Sequence, residues 1–304
     1  MKRKILKLNL YAGILVLISS STLVVLEIPF MKTWFYSFVW WSLILILDSL
    51  NFRKRKISLL FNSLENFLKI AFLSVFIWLI FEMFNLRLKN WSYLGLPENL
   101  GERWLGYFIG FATVLPVLRE GAFFVESFFP LKRLNLFRLR AGKIFLLIFF
   151  FLGLISLILV CLWPKIFFPL VWLQFLFLLE PLNFLLGRKT FISDFTRREW
   201  KWFWCWMISG FSAGILWEFW NFWSGSYWKY SLPYLNFCKV FQMPIFGYLG
   251  FLPFSLEVFA LFQFLTWVLE KFENRRWLKV PSLIIFFLIC GLSFHLIDKT
   301  TLVR

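Results

Sequence analysis

Unbroken apolar stretches, each about 20 residues long, recur along this chain. A stretch of that length crosses the hydrocarbon core of a bilayer as a helix, because backbone groups in lipid must bond within their own segment. The stretches lack the polar–apolar alternation of a transmembrane β-barrel. With 61% hydrophobic residues, the 304-residue chain also carries more apolar surface than a soluble domain buries. The sequence therefore predicts an all-α polytopic membrane protein.

The apolar stretches predict about nine transmembrane helices. They cover residues 9–28, 33–50, 67–86, 104–128, 143–163, 166–186, 202–222, 245–269 and 280–297. The first is interpreted as a retained anchor helix, since no small-residue cleavage pattern follows it.

The net charge of +17 is explained by this topology. Basic clusters occur at residues 2–7, 53–56, 132–143, 188–201 and 271–279, all on one side of a nine-span arrangement. Basic loops face the cytoplasm, so the chain is predicted to lie in the cell (cytoplasmic) membrane with its N-terminus cytoplasmic and its C-terminus outside. The clusters then face anionic lipid headgroups, and no nucleic-acid partner is expected.

The two halves of the chain repeat a set of polar positions. Three blocks recur: Asp48 and Asn51 as Glu180 and Asn183, Glu82 and Asn85 as Glu218 and Asn221, and Pro116 and Glu120 as Pro253 and Glu257. Four spans per half make such repeats parallel to each other. We therefore predict a four-helix repeat over 1–130, a second over 131–270, and an additional C-terminal transmembrane helix within 271–304.

Carboxylates are costly in apolar spans, so the repeated ones are candidate catalytic groups. The candidates are Glu257, Glu218, Glu120 and Glu82. Each proline is expected to open a kink in mid-span, toward which the glutamate four residues later points. Glu120 and Glu257 are therefore expected to converge with the Glu-x-x-Asn pairs of Glu82 and Glu218 in the outer half of the bilayer. The alternatives are polar pairs at helix ends and glutamates that serve packing.

Aromatic residues in matching outer loops are candidate substrate contacts. The predicted substrate-binding residues are Asn221, Asn85, Trp217, Trp228, Tyr230 and Pro253. Ring faces over an apolar substrate would stabilise a cationic centre. The alternative is an ordinary interfacial aromatic belt.

Metal and cofactor sites are not predicted. The four cysteines are scattered, there is one histidine, and no phosphate-binding loop, nucleophile elbow or redox pair occurs. The expected partner is a membrane lipid or a lipophilic small molecule, and the oligomeric state is left open.

Three segments of the second half carry a family resemblance. Trp217-Glu218, then Tyr227-Trp228-Lys229-Tyr230, then Leu252-Pro253-Phe254-Ser255-Leu256-Glu257 resemble the lycopene cyclase domain of the small membrane-embedded type, in a duplicated form. The resemblance implies acid-catalysed ring closure of carotenoid ends without a metal. It implies that Glu218 and Glu257 are acidic site residues. The chain departs from that family by having glutamate for aspartate, a single glutamate for a pair, and additional spans.

Three functional hypotheses follow from these residues. The first is an intramembrane acid-catalysed cyclase or isomerase that acts on a carotenoid, isoprenoid or other lipid. The second is a proton-coupled transporter or flippase with carboxylates near the bilayer midplane. The third is a structural membrane protein. Polar residues thin out toward the inner side, which favours an apolar substrate entering from the lipid.

Overall fold

A computed structural model describes residues 2–128, 136–273 and 279–303. The predicted cations Lys132, Arg133, Arg275, Arg276 and Arg304 lie outside these residues. The helices of the first half are α1 Lys2–Val25, α2 Pro29–Arg55, α3 Leu59–Asn62, α4 Leu64–Leu88, α5 Leu100–Phe111 and α6 Val114–Phe128. Those that follow are α7 Lys143–Leu162, α8 Pro164–Phe167, α9 Gln174–Leu185, α10 Phe191–Thr196, α11 Lys201–Trp223, α12 Phe251–Glu273 and α13 Lys279–Thr300. Two 3₁₀ helices, Phe168–Trp172 and Ile245–Gly250, precede α9 and α12.

The prediction of an all-α membrane protein is confirmed. Within the described residues, seven helical segments are long and apolar enough to cross a membrane. They are Leu8–Val25, Pro29–Arg55, Leu64–Leu88, Leu100–Phe128, Lys143–Leu162, Ile245–Phe272 and Val280–Thr300. The pair Pro164–Trp172 and Gln174–Leu185, bent by 41°, makes an eighth if it is one span. Helix α11 coincides with the remaining predicted span, but tryptophan, glutamate and asparagine lower its mean hydropathy. The count of nine stays a prediction.

The four short strands lie in the loops between helices. Strands β1 Trp91–Leu94 and β2 Tyr227–Tyr230 pair antiparallel, and β3 Lys239–Val240 pairs with β4 Met243–Pro244. We call the end of the helix bundle that carries β1 and β2 the strand end. The Lys32 carbonyl accepts from the Gly225 amide at 2.8 Å here. The Thr301 carbonyl accepts from the Tyr93 amide at 2.8 Å, which places the C-terminal residues at the same end.

Basic loops meet at the opposite end, which we call the basic end. Arg138 donates to the Thr196 carbonyl at 2.9 Å, and Arg188 pairs with Glu270 at 2.7 Å. The first contact joins the segment before α7 to the end of α10, and the second joins the loop after α9 to the last turn of α12. The basic segments therefore gather at the end of the bundle away from the strands.

The prolines of the repeat do not open a mid-helix kink. Pro116 is the third residue of α6, and Pro253 is the third residue of α12. In a first helical turn the missing proline N–H has no intrahelical partner to lose. The apolar span is instead interrupted just before each proline, where α5 gives way to α6 and the second 3₁₀ helix gives way to α12.

The two halves share one core. Helix α11 packs on α6, α2 and α12, and α12 also packs on α4. Trp40 of α2 is fully buried, with its ring centroid 5.4 Å from that of Trp217 and 4.7 Å from that of Trp220. Large aromatic pairs of this kind bury much area and fix the relative position of the helices. This core holds the site beneath the strands.

Candidate functional site

The paired strands β1 and β2 present four aromatic side chains on one face. In the antiparallel register Trp91 lies opposite Tyr230, and Tyr93 lies opposite Trp228. Alternate residues of a strand share a face, and directly opposite residues share it too. One tryptophan and one tyrosine from each half therefore form a single aromatic surface.

A cavity of about 360 Å³ lies beneath this aromatic surface. All four strand aromatics line it, and Trp78, Phe111, Trp172, Trp217, Pro253 and Phe254 belong to its helical wall. Most of the wall is apolar, as in typical small-molecule pockets. The predicted substrate-binding residues Trp217, Trp228, Tyr230 and Pro253 thus share one wall.

Glu82 lies behind the cavity wall, and one of its carboxyl oxygens accepts three hydrogen bonds. Its side chain is completely buried. Its Oε1 accepts from Trp78 Nε1 at 2.9 Å, from Trp91 Nε1 at 3.0 Å and from the Tyr93 hydroxyl. The three donors all belong to residues that line the cavity. Glu82 is therefore linked to the cavity through its neighbours.

Glu218 occupies the matching place in the second half with fewer partners. It is also completely buried, and its Oε1 accepts from the Tyr230 hydroxyl at 3.1 Å. Trp228 lies beside this carboxyl, but its indole Nε1 forms no hydrogen bond among the described residues. The Oε2 atoms of both Glu82 and Glu218 likewise have no such partner there.

The two tyrosines remain neutral phenols at physiological pH. Burial raises the pKa of Tyr93 and of Tyr230 well above the usual value, and the nearby Glu82 and Glu218 raise the pKa of each further. Each hydroxyl consequently keeps its proton and can donate it as a hydrogen bond to the carboxyl behind it.

Asn85 and Asn221, predicted to bind substrate, are hydrogen-bonded to the backbone of the strand segments. Asn85 Nδ2 donates to the Trp91 carbonyl at 2.8 Å, and its Oδ1 accepts from the Asn90 amide at 2.9 Å. Asn221 makes the same type of bidentate contact with the backbone of Trp228, at 2.8 Å in both directions. Both amides are completely buried and do not line the cavity. They position the aromatic residues that do.

Glu120 is not brought to this site. It accepts at Oε2 from Asn51 Nδ2 at 2.7 Å and pairs through Oε1 with Arg119 at 3.0 Å. Asn51 also donates to the Glu120 carbonyl, whereas its counterpart Asn183 donates to the carbonyl of Ala260. The packing thus aligns Glu120 with Ala260, three residues beyond Glu257. The two Pro-x-x-x-Glu blocks match in sequence, but their glutamates do not occupy equivalent positions in the structure.

Glu257 lies at the break in the bent span. Its Oε1 accepts from the Phe175 amide at 2.6 Å, in the first turn of α9. A carboxylate suits that position because the first amides of a helix lack partners within it. Its side chain is completely buried and absent from the cavity wall. The expected convergence of Glu120 and Glu257 with Glu82 and Glu218 is therefore not seen.

A buried ion pair on the cavity wall has no counterpart among the sequence predictions. Arg103 lines the cavity and contacts Asp298 of α13 through Nε and Nη2, each at 2.9 Å. The Tyr107 hydroxyl donates to the same carboxylate at 3.0 Å. Asp298 lies one residue beyond the predicted ninth span, 280–297, and neither it nor Arg103 belongs to the repeated blocks.

The structure therefore selects among the predicted residues. It brings together Glu82, Glu218, Trp217, Trp228, Tyr230 and Pro253 at the strand end, and it adds Tyr93, Trp91 and Trp78. Tyr93 and Trp91 carried a signal in sequence, since they repeat as Tyr230 and Trp228. Trp78 carried none, because glycine stands at the corresponding position, Gly214.

Within the described ranges, no group of three or more histidine, cysteine, aspartate or glutamate side chains could hold a metal ion. Comparisons with protein-family models, curated proteins and solved structures find no match.

Proposed function

We propose that this membrane protein binds an apolar, unsaturated lipid at the strand end and rearranges it by acid–base chemistry, as a cyclase or isomerase. The observation that carries the proposal is the position of Tyr93 and Tyr230, which line the aromatic cavity and bond to the buried carboxyls Glu82 and Glu218. The resemblance to the lycopene cyclase domain supports a carotenoid or another isoprenoid as the lipid.

The chemistry needs a proton donor beside an apolar chamber. A proton added to one carbon of a double bond forms a C–H bond and leaves a cation on the neighbouring carbon. Loss of a different proton completes an isomerisation, or closes a ring if a second double bond attacks the cation first. Aromatic ring faces stabilise the cation, and the apolar wall excludes water that would trap it.

We further propose nine spans arranged as parallel repeats over 1–130 and 131–270, with the last helix within 271–304. A two-fold axis along the membrane normal would relate β1 to β2, which agrees with their antiparallel pairing. The basic end is then cytoplasmic, with the N-terminus inside and the C-terminus outside.

The test is lipid and pigment profiling of a host that makes several unsaturated prenyl lipids. We expect a cyclised or isomerised product when the protein is present, lost in Glu218→Gln and Tyr230→Phe. Glu102→Gln, an exposed carboxyl at the strand end, is the matched control and should keep the activity. A lipid profile identical to that of the empty host would overturn the proposal.

One observation favours proton-coupled transport as a second candidate. Secondary transporters typically contain broken spans whose half-helix N-termini point at anionic groups of the substrate, and here the N-terminus of α9 points at the Glu257 carboxyl. Uptake into vesicles that follows an imposed proton gradient, and that Glu257→Gln abolishes, would select this function. The same variant should leave the enzyme active, because glutamine retains an acceptor for the Phe175 amide.

A further inference from the structure

We propose that Glu218, acting through Tyr230, carries the transferable proton of the site, whereas Glu82 is a fixed carboxylate that supplies counter-charge. The chemical meaning of this assignment rests on the proposed function. The protonation states themselves can be measured without any substrate.

The two carboxyls differ in the number of donors that surround them. Three donors converge on Glu82, and a buried carboxylate needs such donors to offset its lost hydration. Glu218 has the Tyr230 hydroxyl as its one hydrogen-bond donor among the described residues. A carboxyl with so little compensation is more stable as the neutral acid.

The missing donors follow from two matched positions. Gly214 stands where the first half has Trp78, and a Cβ on Gly214 would lie 2.2 Å from ring atoms of Phe251. The Phe251 ring therefore occupies the space that a donor would need. Trp228 corresponds to Trp91, and its Nε1 lies near the carboxyl, but it does not reach hydrogen-bonding geometry with any of the described residues.

Among the groups that the structure describes, no cation offsets the difference. The titratable groups that face Glu218 are the phenols of Tyr230, Tyr36 and Tyr248. Those that face Glu82 are the phenols of Tyr93 and Tyr107. Within the described residues, neither carboxyl has a salt-bridge partner, so the hydrogen bonds distinguish them.

The proton path is short and balanced. When Glu218 is the neutral acid, its own O–H can donate to the Tyr230 oxygen, which reverses the hydrogen bond and turns the phenol O–H toward the cavity. The Glu218 acid then gives its proton to the Tyr230 oxygen while Tyr230 gives its own proton to a ligand double bond, whose electron pair forms the new C–H bond. The resulting Glu218 carboxylate can then accept from the waiting Trp228 indole. A proton lost from a carbon next to the cation returns by the same route, and its C–H electrons form the new double bond. No other reactant is consumed.

The test uses wild-type protein in detergent and dicyclohexylcarbodiimide, an apolar reagent that modifies protonated carboxyls. Site-resolved mass spectrometry should find Glu218 modified at least about tenfold faster than Glu82, the ratio that about 1.4 kcal/mol produces. Equal rates, faster modification of Glu82, or no modification of either would overturn the assignment.

Two variants separate protonation from access. Trp78→Phe with Tyr93→Phe removes two of the three donors to Glu82, and we expect Glu82 then to become reactive as well. Infrared spectra of the wild-type protein and of each variant are subtracted from one another. The protonated-carboxyl band of the wild type should be missing in Glu218→Gln and retained in Glu82→Gln and in the control Glu102→Gln. If these results hold while host lipids stay unchanged, the protonation assignment stands and the proposed enzyme fails.

Discussion

Tyr93 and Tyr230 each place an apolar ring against the cavity and a polar hydroxyl against a carboxyl. Each ring belongs to the cavity wall, and each hydroxyl meets a carboxyl that is completely buried. Losing a partner leaves a buried polar atom unpaired, which costs more than the net gain of a typical hydrogen bond. The contribution of each hydroxyl therefore depends on how many donors remain after it is removed.

Tyr230→Phe should lower the free energy of unfolding by about 1–3 kcal/mol, because Glu218 then keeps no hydrogen-bond donor among the described residues. Tyr93→Phe should cost less, since two indole donors remain on Glu82. Thermal unfolding in detergent measures both. Tyr234→Phe, at a position that is 77% exposed, is the control, and equal losses in the two cavity variants would contradict the argument.

The same tyrosines predict a loss of stability at alkaline pH. Their pKa is higher in the folded protein than in the unfolded chain, so their contribution is complete below about pH 10 and is lost as pH rises above it. The unfolding midpoint should fall less steeply with pH in the double variant Tyr93→Phe, Tyr230→Phe. An unchanged slope would show that other groups govern the alkaline transition.

At the residue scale, the sequence drew attention to the carboxyls but not to the contacts that their neighbours make. Glu82 and Glu218 were found because a carboxyl in an apolar span is rare and this one is repeated. The roles of Asn85 and Asn221 depend on where the loops fold back, and no local pattern contains that information. Arg103 and Asp298 lie 195 residues apart in the chain, at positions outside the repeated blocks, so a repeat-based argument cannot detect their contact.

Three of the membrane-spanning segments are interrupted along their length. The first half breaks between α5 and α6, and the second half breaks before α9 and before α12. Prolines predicted that some interruption would occur in these spans, but a proline favours the first turn of a new helix as readily as a kink. Side-chain periodicity does not separate these two outcomes, so the sequence predicted the spans and misplaced their breaks.

Close approach of α7 to α9 depends on Gly153. A Cβ there would lie 2.5 Å from the Leu178 amide nitrogen and 2.7 Å from its Cα, and backbone atoms cannot rotate away. We expect Gly153→Ala to destabilise the fold by about 1–3 kcal/mol through overpacking. Gly142→Ala is the matched control, because no atom lies within 4 Å of its added Cβ. Equal unfolding midpoints in detergent would contradict the predicted contact.

At the scale of the molecule, the last helix is joined to the rest through the cavity wall. Helix α13 packs on α4 and α5, and Asp298 pairs with Arg103 where both are largely buried. The backbone beyond α13 continues this attachment, because the Val303 amide donates to the Tyr93 carbonyl at 2.8 Å. The residues that follow α13 thus contact strand β1, which carries Tyr93.

Replacing one member of this ion pair should lower the free energy of unfolding more when its charged partner is still present than when the partner has also been replaced. Arg103→Gln or Asp298→Asn alone should lose about 3–5 kcal/mol, because an unpaired charge remains buried. The double variant should lose less than the sum of the two. A double-mutant cycle on thermal unfolding in detergent measures the coupling, and strict additivity would show that the pair does not interact.

The charge pattern predicts that the strand end faces outside and the basic end faces the cytoplasm. Cys238 lies in the loop that follows β2, at the strand end, and is exposed; Cys161 is also exposed, whereas Cys205 and Cys290 are buried. In a Cys161→Ser background, a membrane-impermeant maleimide should label Cys238 in intact cells if the strand end faces outside. With Cys238 also changed to serine, Arg140→Cys at the basic end should be labelled after permeabilisation alone. The reverse pattern would place the basic loops outside, and it would require that some force other than the positive-inside bias orients the chain.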